Sequence, residues 1–275
     1  MQFTALAWNL FHGRDFPPDP ELFTWRSRLF RRSERNATHV QVNRELLDEF
    51  ATMLAGAEWD VALLQEAPPR FAEPLARACA ADGHRVLTSR NGLGAVRAAA
   101  ARLNPDLIAS GEGGSNLTLV RPGGALGGIV ERRGLEIHEG RPERRAMALT
   151  RTASGVCVAN LHATNDFPAL AVADLLRAAR AAVEFAGGAP LLFGGDLNLR
   201  PRRNPEVFAE LAERHDLTGT TAPEAIDHLL AREMAAVEPP SPWAPERREL
   251  REDGLALRLS DHTPVEARFE TASAR

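Results

Sequence analysis

The stretch "LLFGGDLNLRP" at residues 191–201 is the most restrictive part of this sequence. Its apolar run shows no polar alternation, is too short for a helix, and stops abruptly at two glycines. It therefore reads as a buried strand. Asp196 and Asn198 follow at once. Gly, Asp and Asn all favour turns, whereas strand ends in α/β folds are also where chemistry is placed. The rest of the chain decides between a turn and a site.

Several other segments have the same form. "FTALAWN" ends on Asn9, "WDVALLQE" on Glu66, and "VCVANLHAT" carries Asn160 and His162. "SNLTLVRP" and "AIDHLLA" read as further strands, and "DHTPVEARFE" as the last one. Helical faces lie between them. "NRELLDEFATML" aligns Leu46, Leu47, Phe50, Met53 and Leu54, "RFAEPLARACAADG" stops on glycine, and "PEVFAELAERHD" is a third. "ALAVADLLRAARAAVEFAGG" is the clearest helix, with Gly187 and Gly188 as its stop signal. Residues 90–114 are glycine-rich and irregular, and 238–253 read as an exposed loop with prolines and mixed charges. Strands alternate with helices in places and pair as hairpins in others. This mixture predicts an α/β fold of two packed mixed β-sheets flanked by helices. With no internal repeat and no dividing linker, residues 1–275 are expected to form a single domain.

Composition sets limits on function. A net charge of −4 leaves no global field for polyanions, so any such binding needs a local patch. All 33 basic residues are arginine and tyrosine is absent, which excludes Schiff-base lysines, P-loop lysines and catalytic tyrosines. Cys79 and Cys157 are far apart and lie in helix-like and strand-like patterns, so buried free thiols are expected. The N-terminus lacks the basic region and cleavage site of a signal peptide, and no apolar run approaches membrane-spanning length. The expectation is a cytoplasmic protein with no membrane insertion; no protein partner is evident.

Six groups sit at strand ends: Asn9, Glu66, Asn160 with His162, Asp196 with Asn198, Asp227, and Asp261 with His262. Each alone has an ordinary structural explanation, such as a turn cap or a core histidine. A sheet, however, gathers its strand ends along one edge, so the six can converge. Asn9, Glu66 and Asp261 are hard oxygen ligands suited to Mg²⁺ or Mn²⁺. His162 and His262 can donate protons or hydrogen bonds to phosphoryl charge. Asp196 can orient or deprotonate water, Asn198 offers a neutral donor, and Asp227 can hold an imidazole in one tautomer. Together these groups suit hydrolysis of a phosphate ester.

In chain order, "LAWNLFHG", "DVALLQE", "NLHATN", "GGDLNLRP", "AIDHLL" and "LSDHTPV" resemble the endonuclease/exonuclease/phosphatase superfamily, the deoxyribonuclease I-like proteins. "GGDLN" and "SDHTPV" are the most specific pieces, and the resemblance spans residues 3–269. It implies a four-layer α/β sandwich and a divalent-metal phosphoesterase. Asn9, Glu66 and Asp261 would serve the metal, while His162 and His262 would act on the phosphate. Asp227 would pair with His262, Asp196 would position water, and Asn198 would contact a phosphate oxygen.

The abasic-site endonucleases of that superfamily carry a catalytic tyrosine; this chain has none and keeps His162. The resemblance therefore leans toward the deoxyribonuclease, sphingomyelinase or inositol-phosphatase members. His162 lacks an obvious acidic partner: Glu112 is a candidate, but the glycines around it suggest a solvated loop. Asn116 and Asn160 are candidate substrate contacts, as is Arg200 of "LRPRRNP". "WRSRLFRRSER" mixes arginines with Trp25 and Phe30, a composition that suits either a nucleic-acid backbone with stacked bases or a solvated basic face. The expected activity is a Mg²⁺- or Mn²⁺-dependent phosphodiesterase with a phosphate-ester substrate, DNA or RNA among the candidates. A phosphomonoesterase or phospholipid head-group hydrolase is the alternative, and a silent binding module stands behind both.

Overall fold

Alternate residues of the opening strand, Gln2–Asn9, serve two different cores. Phe3, Ala5 and Ala7 enter the cluster between the two sheets, while Leu6 and Trp8 enter the one beneath the helices. A strand buried on both faces carries apolar residues at every position, which is why these segments read as unbroken runs.

The computed structural model describes residues 1–88, 94–138, 143–165 and 167–272, and all side chains among them except those of 94–97, 110 and 112. Two large sheets form among the described residues. The six-stranded sheet runs Met234–Pro242, Val265–Thr271, Gln2–Asn9, Val61–Ala67, Ser115–Val120, Asp82–Leu87. The five-stranded sheet runs Asp227–Arg232, Leu191–Asp196, Cys157–His162, Arg145–Thr152, Ile129–His138. Each contains one parallel pair: Gln2–Asn9 with Val61–Ala67, and Cys157–His162 with Leu191–Asp196. The other pairings in both sheets are antiparallel.

Helix Leu47–Gly56 covers the first sheet through Phe50 and Leu54, and Ala72–Ala78 covers it through Leu75. Pro168–Ala186 and Pro205–His215 cover the second through Leu175, Ala178 and Leu211. The result is the four-layer sandwich that the resemblance implies. Both cysteines are free and buried. Among the described residues, no helix is long and apolar enough to cross a membrane.

The structure departs from the sequence expectation in three segments. Residues 94–112, expected to be irregular, form helices Gly94–Leu103 and Pro105–Glu112; residues 89–93 of that stretch lie outside the described residues. Asn104 breaks the run between the two helices, accepting from Leu107 N as a cap while bonding Asn43. The expected loop at 238–253 instead contributes to edge strand Met234–Pro242 and to the hairpin Glu249–Glu252 with Leu255–Arg258. Proline is tolerated there because an edge strand need not donate every N–H. Strand Ile129–His138 forms one edge of the five-stranded sheet, and its largely exposed, charged face carries no apolar pattern to read.

His84 ties the sheets together, its Nδ1 2.8 Å from Thr150 Oγ1. Burial, helped by the charge of Arg132, pushes its pKa down to about 4. The unfolded chain takes up a proton below about pH 6.5 that the folded protein refuses, so stability falls as pH drops from about 6.5 to about 4. The linkage amounts to about 3 kcal/mol across that window. His84→Gln, which keeps a hydrogen bond but does not titrate, is expected to flatten the acid limb of Tm against pH. An unchanged limb would mean that His84 already titrates normally in the fold.

Candidate active site

The C-terminal ends of the two parallel pairs meet across the gap between the sheets. Asn9 makes the junction, donating from Nδ2 to Asp196 Oδ2 at 3.0 Å and accepting at Oδ1 from Phe11 N at 2.9 Å. Asp196 is buried, and its Oδ1 accepts from Asn198 N at 3.1 Å. The sheets therefore share one polar cluster at their ends.

A bulge aims Glu66. Leu64 pairs with Leu117 and Ala67 with Ser115, so Gln65 and Glu66 together face Asn116 alone. The extra residue takes a positive φ of 47°. Phe11, His12, Asn198 and Ser260 also have positive φ and also stand around the cluster. Left-handed backbone at non-glycine residues costs energy and gathers at functional sites.

Glu66 Oε2 lies 3.1 Å from His12 Nε2, and Oε1 lies 3.9 Å from His162 Nε2. Burial works against its charge, yet His12 and a hydrogen bond from Asn9 outweigh it and hold the carboxyl at about 2. Asp261 stands at the open rim; its pKa is raised by partial desolvation and by the like charge of Glu66. Two carboxylates that repel each other beside an amide oxygen form a hard donor set, and a divalent cation would relieve the repulsion. Glu66, Asp261 and Asn9 thus fit a Mg²⁺- or Mn²⁺-class ion. Asp196, Asp227 and His262 also place ligand atoms within 4.8 Å of one another. In that second group, however, His262 Nδ1 is already engaged by Asp227 Oδ2 at 2.8 Å.

Asp227 Oδ2 lies 2.8 Å from His262 Nδ1, and His262 Nε2 lies 3.7 Å from Asp196 Oδ2. Burial lowers the affinity of His262 for a proton, but Asp227 and Asp196 overcome it and push the pKa up to about 10. Asp196 moves the other way from an ordinary carboxylate: burial and Asp227 raise its pKa, against the pull of His262. The backbone fixes the imidazole, since Trp8 Nε1 and Arg248 Nη1 both donate to the His262 carbonyl. Ser260 Oγ accepts from His262 N and donates to the Asn9 carbonyl.

His162 has the opposite character. It is buried, its Nε2 lies 3.5 Å from Asp196 Oδ2, and its Nδ1 lies 3.3 Å from Arg145 Nη1. Burial and the Arg145 charge push its pKa down to about 3. One histidine is thus held charged and the other neutral, a division that two similar "NLH" and "SDH" pieces do not reveal.

Other expected site residues lie behind or beside this cluster. Asn160 is buried between the sheets, where Oδ1 accepts from Gln65 Nε2 at 2.7 Å and Nδ2 donates to Leu64 O and Thr118 Oγ1. Asn116 is equally buried, donating from Nδ2 to the carbonyls of Ala146 and Asn160. Both amides bridge the sheets rather than opening on the rim. Asn198 Nδ2 donates to Ala163 O, and Arg200 lies on the surface with Nε 3.9 Å from Glu224 Oε2. The side chain of Glu112 lies outside the described residues.

Sequence reasoning missed His12 and Arg145. His12 stands three residues after Asn9 within "LAWNLFHG", a piece in which the resemblance assigns a role to Asn9 alone, and Arg145 is one arginine among many. Second residues that orient a metal-binding carboxylate typically matter about 10- to 100-fold in affinity. His12→Ala is therefore expected to weaken Mn²⁺ binding by about tenfold in a calorimetric titration. Unchanged binding would mean that the contact with Glu66 serves the fold alone.

A model of the endonuclease/exonuclease/phosphatase family matches residues 6–262. Among solved structures, the chain is similar to an endonuclease/exonuclease/phosphatase family protein from Bacteroides thetaiotaomicron, at 14% identity and TM-score 0.64, covering 99% of this chain and 96% of that one. A mannosyl-6-phosphatase from the same organism superposes with TM-score 0.62 at 14% identity, covering 97% and 99% of the two chains. The human Nocturnin catalytic domain with bound sulfate anion gives 0.58 at 14% identity, covering 98% and 95%. At such identities the likeness is one of fold. No curated protein matches the sequence.

Proposed function

The chain belongs to the endonuclease/exonuclease/phosphatase family, and on that footing we propose that it is a divalent-metal-dependent phosphodiesterase that takes a nucleic-acid strand. The observation that carries the hydrolytic reading is the pairing of His262, kept protonated by Asp227, with Asp196, whose proton affinity is raised. A charged donor and a carboxylate able to take a proton stand 3.7 Å apart at one sheet end.

Asp196 orients the attacking water and draws on its proton, while Asn9 and Asn198 N hold both carboxylate oxygens in place. His262 presents Nε2 with its positive charge to the phosphoryl oxygens, and Asp227 keeps that charge in position through Nδ1. His162 directs Nε2 toward the same region from the neighbouring strand. When bound by Glu66, Asp261 and Asn9, a divalent ion supplies Lewis-acid neutralisation of phosphate charge. A cavity of about 340 Å³ beside Asp227, Asp261 and His262, lined also by Thr221, Ile226 and Pro242, offers room for one substituent of the ester.

The strand-like substrate is supported by the helix Trp25–Phe30. Trp25, Leu29 and Phe30 are exposed on it, and Arg26, Arg28, Arg31 and Arg32 surround them. The helix Pro105–Glu112 packs against both this basic, aromatic element and the turn carrying His12. Arginines on phosphates with rings under bases is the pattern of single-strand binding.

The test is hydrolysis of bis-p-nitrophenyl phosphate against p-nitrophenyl phosphate, with Mg²⁺, Mn²⁺ and EDTA arms, followed by a single-stranded oligonucleotide. Metal-dependent cleavage of the diester and the oligonucleotide is the expected result. Cleavage of the monoester alone would replace this reading with a phosphatase, the activity by which the structurally similar mannosyl-6-phosphatase is named.

A further inference from the structure

Arg145 opens the strand Arg145–Thr152 and is only 4% exposed. Its Nη2 lies 3.7 Å from Glu143 Oε2, and its Nε has no hydrogen-bond partner. A buried guanidinium held this loosely is a costly group to keep. Its well-defined neighbour is His162, with Nη1 3.3 Å from Nδ1.

The donor and acceptor roles in that contact follow from chemistry. A guanidinium has five N–H donors and no acceptor, so Nδ1 of His162 accepts and the ring's proton resides on Nε2. That nitrogen faces Asp196 Oδ2 at 3.5 Å and Glu66 Oε1 at 3.9 Å, the space between the metal-binding carboxylate and the water-orienting one. A carboxylate behind the ring would do the reverse: it would take a proton from Nδ1 and favour the imidazolium, as Asp227 does for His262.

We propose that Arg145 is a positioning residue that locks His162 in the neutral Nε2–H tautomer, making His162 a fixed hydrogen-bond donor to a phosphoryl oxygen rather than a proton-transferring acid. The two histidines then divide the work. His262 carries the mobile proton and the charge, and His162 contributes a neutral donor that costs no reorganisation when charge develops. The role in turnover rests on the phosphoester-hydrolase reading, whereas the tautomer does not.

The test is long-range ¹H–¹⁵N correlation of the histidine rings in the full chain at pH 7.5, with His162 assigned by its absence in His162→Gln. The expected spectrum shows His162 protonated at Nε2 and bare at Nδ1, and Arg145→Lys, which keeps a donor, retains it. Arg145→Met is expected to lose that single tautomer and to lower kcat for the diester by about 10- to 100-fold with KM little changed. A wild-type His162 protonated at Nδ1, alone or together with Nε2, would overturn the proposal. An Arg145→Met protein with unchanged ring spectrum and kcat would do the same. The wild-type spectrum needs no variant to fold, so the tautomer stands or falls even if Arg145→Met does not. A protein that cleaves neither ester yet shows the Nε2–H ring would retire the hydrolase reading while leaving the tautomer assigned.

Discussion

Replacing Glu66 by glutamine is expected to reduce metal-dependent turnover by at least about 10³-fold while leaving the fold intact. Glutamine keeps the shape and one oxygen but removes the negative charge. In the wild type that charge is held ionised, at about 2, by His12 and a hydrogen bond from Asn9 against the cost of burial. Of the other carboxylates in the cluster, Asp227 is bound to His262, and Asp196 is bound by Asn9 and raised in proton affinity. Calorimetry with Mn²⁺ should show the loss of binding directly, and the far-ultraviolet circular dichroism should not change. Turnover within tenfold of wild type would remove Glu66 from the metal site.

The second large effect is on stability. Gly195→Ala is expected to cost about 4 kcal/mol, a combination of overpacking and forbidden backbone. Gly195 has φ of 122°, a conformation that L residues rarely adopt. A Cβ there would press into the Leu161 carbonyl oxygen on the parallel neighbour and lie 2.8 Å from Gln65 Nε2 of the other sheet. Against the 5–15 kcal/mol typical of a folded domain, roughly, such a loss should show as a large fall in Tm and in soluble yield. Gly56→Ala is the control, since nothing lies within 4 Å of a Cβ at that helix end. Equal Tm values for the two variants would mean that the sheets yield at Gly195.

The stretch "LLFGGDLN" was therefore legible for a physical reason. A Cβ at Gly194 would run into the His228 carbonyl of the neighbouring strand and one at Gly195 would meet Gln65 of the other sheet, so both positions need glycine, and Asp196 emerges where the sheets meet. The strand-end groups were legible because buried strands announce themselves by continuous apolar runs and stop at a polar residue. The edge strands were not, because Ile129–His138 and Met234–Pro242 face solvent and pair on one side only. The bulge that turns Glu66 leaves no mark in "LLQEA", where Gln65 and Glu66 look interchangeable. Asn116 and Asn160 read as contacts because an amide in a strand looks the same whether it faces a rim or a seam. Arg145 was hidden by composition: in a chain rich in arginine and without lysine, one arginine behind a histidine carries no signal until the strands are paired.

The Asn9–Asp196 hydrogen bond crosses from one sheet to the other, so reactive groups from separate layers are aligned only while the layers keep their spacing. That spacing is set by small side chains such as Ala5, Ala7 and Ala267 together with larger ones such as Phe3 and Leu192. The interlayer thus acts as a calliper whose jaws carry the proposed site. A sequence drifting in this interior by one methylene is expected to alter the reach between Asp196 and Asn9 before it unfolds anything. Natural variation in the family should accordingly leave the outer helices free to change and hold the summed volume of this inner seam nearly constant.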